Sequence, residues 1–415
     1  MNDIRSIVLV CTSDLLGGAA VVTYRLMNAL KKLGVKASML VMNKFSDDPD
    51  VHVIGSRLSR KIKFVAERGY IFTHNGFNRA DLFKVSVANT GFDISRHPLV
   101  KEADAVILSW INQGLLSLAD IRRLAATGKP LAWVMHDMWC MTGACHHAQD
   151  CNGYKEHCGN CRYFYDEKKE KDLSYKGISR KEALYNSIPG LKFVAVSSWL
   201  RDRANDSRLL QGRDLHLIAN AFPAEDFYIS PKGIELPDEI DFSKKLIIMG
   251  AARLDDPIKN FPLAVSSLNR LVEMDCRLAE GCQAVFFGDL RDKTHLDDLK
   301  MPYVYLGPVC NRSMITELYA RSTVVLSTSL FETLPGTIIE GMSAGCTPVT
   351  TGNGGQRDIV EHGFTGYITG NDSDEIASAL IVALKVPFDR RLQHEAINSR
   401  FSDEVIAQRF IELLS

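Results

Sequence analysis

The sequence predicts an α/β protein of two Rossmann-like domains facing across a cleft. Three observations carry that prediction. Short apolar runs alternate with amphipathic stretches, first over residues 6 to 198 and again over 246 to 370. A glycine-bearing turn comes after the first run, as in doubly wound sheets. A segment rich in Pro and charge divides the two series. The chain's 415 residues also exceed what one hydrophobic core usually organises.

The elements come in this order. "SIVLVC" (6 to 11) reads as a buried parallel strand, "TSDLLGGAA" as a turn, "AVVTYRLMNALKKLG" as an amphipathic helix closing at Gly34, and "KASMLVM" as the next strand. Further strands are expected at 103 to 110, 130 to 137 and 191 to 198. "HLIANAFPAEDFYISPKGIELPDEIDFSKK" is expected to link the domains. The second series runs through "LIIMGAARL", "QAVFFGDL", "YVYLGPV", "TVVLSTS", "CTPVTTG" and "GYITG". The expected boundaries are 1–222 for the first domain, with a cysteine-rich insert at 140–161, then 223–243 for the linker and 244–395 for the second domain. Residues 396–415 are expected to form a terminal helix that packs back on the first domain.

Composition narrows the function classes. Hydrophobic residues at 46% and charged residues at 24% suit a soluble globular protein, and a formal net charge of -1 argues against nucleic-acid binding driven by bulk charge. No apolar run reaches the about 18 residues that span a bilayer. The opening "MNDIRSIVLVCTSDLLGG" does not read as an export signal, so a cytoplasmic setting with reduced thiols is expected.

The segment with the most chemistry is "SLFETLPGTIIEGMSAGCTPVTTGNGGQRDIV", residues 329 to 360. Glu332 should lie in the loop after a strand, Pro335 at the entry to a helix, and Glu340 about one turn inside it. Free N–H groups and a positive dipole end at that helix start suit a phosphate. Glu340 is then placed to bind a ribose diol and Glu332 sugar hydroxyls, and Gly354 and Gly355 to let backbone approach a ligand. Upstream, "GAARLDDPIKN" supplies Arg253 and Lys259 after the domain's first strand, suited to neutralise a diphosphate. In isolation the basic pair reads better as two exposed loop cations, and two glutamates eight apart are a weak signal that chance often yields.

Taken together, strand–Arg–Lys and strand–Glu–helix–Glu resemble the retaining glycosyltransferases of family 4, which have the GT-B fold. Glu332 and Glu340 match their E-x7-E motif, and Arg253 and Lys259 their basic pair. "LLGGAAVVTYRLMNAL" resembles their glycine loop and first helix, which implies Gly17 and Gly18 near the donor phosphates. "VMHDMW" resembles the strand ending in a histidine near the transferred sugar, here His136. The resemblance implies catalytic roles for His136, Arg253, Lys259 and Glu332. It implies donor contacts from Gly17, Gly18, Arg253, Lys259, Glu332, Thr333, Leu334 and Glu340. Where the family commonly has Gly-Phe-Gly, this chain has Thr333, Leu334 and Pro335, and proline offers no N–H to a ligand. Leu-Pro at this place resembles a subset found in capsule and exopolysaccharide clusters, which has a similar cysteine-rich insert.

The resemblance implies transfer of a sugar, with retention, from a UDP- or GDP-linked donor to a glycan or polyprenyl-linked acceptor, without a catalytic cofactor. Alternatives are a GT-B sugar-nucleotide epimerase and a catalytically silent nucleotide-sugar-binding protein. The triplets Asp48–Asp50 and Asp372–Asp374 read as turn chemistry rather than metal sites.

Within "CMTGACHHAQDCNGYKEHCGNC", Cys145, Cys151, Cys158 and Cys161 have the character of a closed structural zinc site, in an insert with few apolar residues of its own. His146, His147 and His157 are alternative ligands, Cys140 lies outside the quartet, and disulfides or plain thiols are the other readings. "SRLSRKIKFVAERGYIF" (56 to 72), with Arg57, Arg60, Lys61, Lys63 and Arg68, suits peripheral contact with the inner membrane face as well as it suits a solvated helix.

Overall fold

The computed structural model describes residues 4–165, 169–309 and 311–415. The chain divides into two bodies: one runs to Phe222 and regains Asp403–Ser415, and the other is Pro223–Ser402.

The first body holds seven strands: β1 (Ser6–Ser13), β2 (Lys36–Asn43), β3 (Val51–Val53), β4 (Ala105–Leu108), β5 (Leu131–Met135), β6 (Leu191–Ala195) and β7 (Leu215–Leu217). They pair in parallel in the order β3-β2-β1-β4-β5-β6-β7. β1 and β4 are buried along nearly their whole length, with continuous apolar runs at 7–11 and Ala105–Leu108, as strands covered on both faces of a parallel sheet require. Periodicity does not reveal β3 and β7. Both are three-residue edge strands, too short to show a period, and β7 overlaps the start of the stretch expected to link the domains.

The second body holds β8 (Lys245–Arg253), β9 (Cys282–Asp289), β10 (Tyr303–Tyr305), β11 (Val324–Ser327), β12 (Thr347–Thr351) and β13 (Tyr367–Thr369). Their order, β10-β9-β8-β11-β12-β13, is the doubly wound arrangement, all parallel. Its core joins Ile247, Phe286, Leu326 and Val349 of the sheet to Leu268 and Leu380 of the covering helices. In each sheet the strand order reverses beside the first strand, and the loops leaving β1 and β4, or β8 and β11, sit where such sheets bind ligands.

Two expected boundaries shift. Residues 223–243 are not a free connection: the segment belongs to the second body. Buried Glu317 accepts from Tyr228 Oη (2.9 Å), Lys232 N (2.9 Å) and Gly233 N (3.1 Å), and these bonds offset the cost of burying its charge. At the other end, the expected single helix over 396–415 is two. Arg390–Phe401 stays with the second body, and Asp403–Leu414 packs on the first body's helix Gly18–Lys32, where Lys32 bonds Asp403 at 3.1 Å.

Candidate functional site

In the second body, the carboxyl ends of β8 and β11 are stitched together. Leu330 N donates to Ile258 O (2.8 Å), and Thr328 Oγ1 to the carbonyls of Lys259 (3.0 Å) and Asn260 (3.1 Å). This brings Lys259 against Glu332: their side chains form an ion pair, and Glu332 Oε1 also accepts from Ser329 Oγ at 3.0 Å. Arg253, the last residue of β8, pairs with Asp255 (3.1 Å) and Asp256 (3.7 Å). The basic pair thus has carboxylate partners in this structure, and an arriving anion has to share or displace them.

Pro335 caps the helix Gly336–Ser343, whose first turn has no side-chain cap, so its N–H groups remain available to an anion. Leu334 and Pro335 are buried at this entry, and Thr333 and Glu340 are half-buried. Gly354 differs in role from the expectation of ligand contact. A Cβ there would lie 2.2 Å from Glu332 O, and Gly355 N donates to the same carbonyl at 2.9 Å. The Gly354–Gly355 turn therefore holds the Glu332 backbone itself.

In the first body, Gly17 has φ +93°, a conformation that disfavours any side chain, and it precedes the uncapped helix Gly18–Lys32. Gly17 and Gly18 are exposed, and a Cβ at Gly18 would meet nothing within 4 Å. His136 lies just beyond β5. Its Nε2 lies 2.7 Å from Ser109 Oγ, which lies 2.5 Å from Thr23 Oγ1 in the helix that starts at Gly18. Burial lowers the His136 pKa to about 4 against the opposing pull of Asp137, so the ring is neutral near pH 7. Thr23 and Ser109 escape sequence reasoning, since small hydroxyls inside apolar elements carry no pattern of their own.

Asp137 organises the chain beyond β5. It accepts from Trp110 Nε1 (2.9 Å), His146 Nδ1 (2.7 Å) and Trp139 N (2.8 Å). Burial opposes its ionisation, but the neighbouring His146 and His147 rings and the hydrogen bonds from His146 and the Trp139 N–H together hold the carboxyl well below the usual range. His146 also lies 3.1 Å from Ser86 Oγ. This removes His146 from the alternative metal ligands. His157 lies against Cys158 O (2.9 Å) and stacks on Tyr175.

The insert packs against residues outside its own bounds. Tyr163, Phe164 and Ala144 form a small core with Ile71, Val85, Val87 and Leu173, against which Cys145 and Cys161 rest. Buried Lys181 donates to the carbonyls of Trp139 and Thr142 (2.9 Å), and Asp172 Oδ2 accepts from Cys161 N at 2.7 Å. The four predicted cysteines share one neighbourhood. Burial first, then Cys161 and Cys158, push the Cys145 thiol up to about 12. Burial first, with Cys161 and Cys151 adding, pushes Cys158 to about 11. Cys158 Sγ accepts from Gly143 N at 3.3 Å, a bond that favours a thiolate. Among the described residues, however, no group of three or more His, Cys, Asp or Glu stands at metal-holding geometry. The donors fit zinc in kind and number but are not closed around an ion.

Two smaller readings resolve here. Asp48 caps Asp50 N (2.9 Å) and Asp372 caps a helix start, so both triplets do local turn chemistry. Arg68 does not belong to the basic surface of the helix Arg57–His74: it is buried, pairs with Glu67, and donates to Leu82 O (2.7 Å) and Val85 O (3.0 Å).

Comparison with known proteins agrees with this architecture. Residues 244–385 match the family model described as glycosyl transferases group 1. No curated protein matches the sequence significantly. Anabaena HepE, solved with UDP and glucose, is 17% identical, with 99% of each chain covered and a TM-score of 0.61. A Rickettsia africae glycosyltransferase is 14% identical over 100% of this chain and 98% of its own, with a TM-score of 0.67. The sucrose-phosphate synthase of Thermosynechococcus elongatus is 14% identical over 99% and 98%, with a TM-score of 0.62. The fold is GT-B, two parallel-sheet Rossmann-like bodies.

Proposed function

We propose that the protein is a retaining glycosyltransferase of the family 4 type that moves a sugar from a UDP- or GDP-linked donor to a glycan or polyprenyl-linked saccharide in polysaccharide synthesis. The observation that carries this reading is the Lys259–Glu332 pair at the joined ends of β8 and β11, beside the uncapped helix of Glu340. The match of this segment to group 1 glycosyl transferases and the complex of HepE with UDP and glucose support it.

In the proposed reaction Arg253 and Lys259 stabilise the departing diphosphate, and Glu340 binds the ribose. Glu332 and neutral His136 orient the sugar, while Gly17, Gly18, Thr333 and Leu334 border the donor. The bond from the sugar's anomeric carbon to phosphate oxygen breaks as the acceptor oxygen bonds that carbon on the same face. The acceptor's proton passes to the departing phosphate oxygen, so no metal or cofactor is required.

The insert, in this reading, holds one structural zinc through Cys145, Cys151, Cys158 and Cys161, which braces the chain after His136. The enzyme works at the inner face of the membrane. Supporting that, the helix Arg57–His74 exposes Leu58 (68%), Ile62 (57%) and Val65 (54%) beside exposed Arg57 and Lys61. Among the described residues no helix is long and apolar enough to cross a membrane.

The test is a thermal-shift screen of UDP-, GDP- and ADP-sugars, then product analysis with and without a saccharide acceptor. Stabilisation by one donor and transfer with retained configuration are expected. Free nucleotide with an epimerised sugar and no acceptor requirement would point to an epimerase, and no donor binding at all would defeat the reading.

A further inference from the structure

A surface cavity of about 460 Å3 lies wholly within the first body, between the insert and the helix Ser198–Asn205. The helix lines it with Trp199, Asp202 and Arg203, and Asp206 stands at its cap; this i, i+3, i+4, i+7 spacing makes one face. Gln149, Asn152 and Tyr154 line the insert side.

The walls are fixed to each other. Lys155 Nζ bonds Asp206 at 2.8 Å, and Arg203 Nη1 donates to buried Tyr154 Oη at 3.4 Å. Arg208 N donates to Tyr154 O at 3.2 Å, and the Arg203 guanidinium lies over the Trp199 ring at 4.6 Å. The cavity is therefore a built feature that needs both the insert and the helix.

Its chemistry selects a class of ligand. Cations and carboxylates line it together, and Asp202 is balanced by Arg201 at 2.8 Å and Asp150 by Arg162. Such a surface has no excess of positive charge to hold a diphosphate. The exposed amide and carboxylate groups of Gln149, Asn152 and Asp202 offer donors and acceptors to hydroxyls, and Trp199 offers an amphipathic ring. The volume falls within the about 300–1,000 Å3 of small-ligand sites.

Position ties it to the site. β5 and β6 pair in register with Met135 opposite Ala195, so His136 and the Trp199 turn leave the same edge of the sheet on adjacent strands. We propose that this cavity binds a neutral saccharide unit of the acceptor, a proposal that rests on the glycosyltransferase reading above.

The experiment is saturation-transfer NMR on the full chain with four neutral disaccharides (lactose, maltose, cellobiose and N,N′-diacetylchitobiose) at millimolar concentration. Thermal shifts induced by UDP and by GDP are measured alongside. Wild-type protein is compared with Trp199→Ala and with Asp202→Ala, the latter a residue whose side chain is 64% exposed and pairs with its neighbour Arg201, and the Tm of each variant is recorded as the fold control. The expected result is a signal from at least one disaccharide, reduced at least about fivefold in both variants, with the nucleotide shift unchanged. If UDP or GDP binds but no disaccharide does, or if both variants keep the full saccharide signal, the proposal is overturned. A saccharide signal without any UDP or GDP shift in wild type would overturn the acceptor assignment and the donor reading together.

Discussion

Lys259 and Glu332, 73 residues apart in sequence, form an ion pair at the joined ends of β8 and β11. The pair couples the proposed leaving-group cation to the proposed sugar-binding carboxylate, so their substitutions should not add. Lys259→Ala should lower turnover about a hundredfold, the usual scale for losing one stabiliser of developing charge. Glu332→Gln should cut transfer while leaving UDP affinity nearly unchanged. The double variant should lose less than the product of the single losses. Steady-state rates with calorimetry check this; strictly multiplicative losses would show that the pair does not act as a unit.

Glu340→Gln should instead weaken binding of the nucleotide itself, by about tenfold, on the scale of one charge-assisted hydrogen bond. Calorimetry with UDP and GDP and no sugar isolates the effect. Equal affinity in wild type and variant would take Glu340 out of the ribose contact.

The glycines separate structural from ligand-facing roles. Gly354→Ala places a Cβ 2.2 Å from the Glu332 carbonyl and should destabilise the second body by about 2 kcal/mol, with a lowered Tm. Gly18→Ala meets nothing within 4 Å, so its Tm should hold while donor affinity falls. A normal donor affinity in Gly18→Ala would remove the first-body loop from the phosphate contacts.

Burial holds the His136 pKa at about 4 in the folded protein, below the ordinary 6.5. As pH falls the unfolded chain binds this proton first, so stability is full above about pH 6.5 and declines toward pH 4, by up to about 3 kcal/mol. Urea unfolding across that range should show the slope, and His136→Phe should flatten it. An unchanged slope in that variant would assign the acid sensitivity to other groups.

Protein purified under reducing conditions without added metal should carry about one zinc per chain, as a four-thiolate site predicts. Chelation should lower Tm and reduce activity indirectly, through the chain after His136. Cys140→Ser should retain the metal, whereas Cys158→Ser should lose it. Metal content near zero with all thiols freely titratable would exclude the site.

The alternation of elements and the place of the glycine turns are legible in the residues alone. Buried parallel strands such as Ile7–Cys11 and Val324–Leu326 are continuous apolar runs, and helices between them keep a 3.6-residue period, so both are local signals. Arg253, Lys259, Glu332 and Glu340 are legible as strand-end and helix-entry residues in the same way, because Pro335 and the flanking strands mark those positions. Which side chains meet is settled only in the folded chain. The strap from Tyr228 to Glu317, the link from His136 through Ser109 to Thr23, and the capture of His146 by Asp137 join groups that share no local pattern. Gly354 shows the same limit: its residue type announces room for close approach, and packing chose the Glu332 backbone as what approaches it. Backbone periodicity is written over neighbouring residues. Burial instead gives each polar group whatever partner the folded chain brings within reach, often scores of residues away.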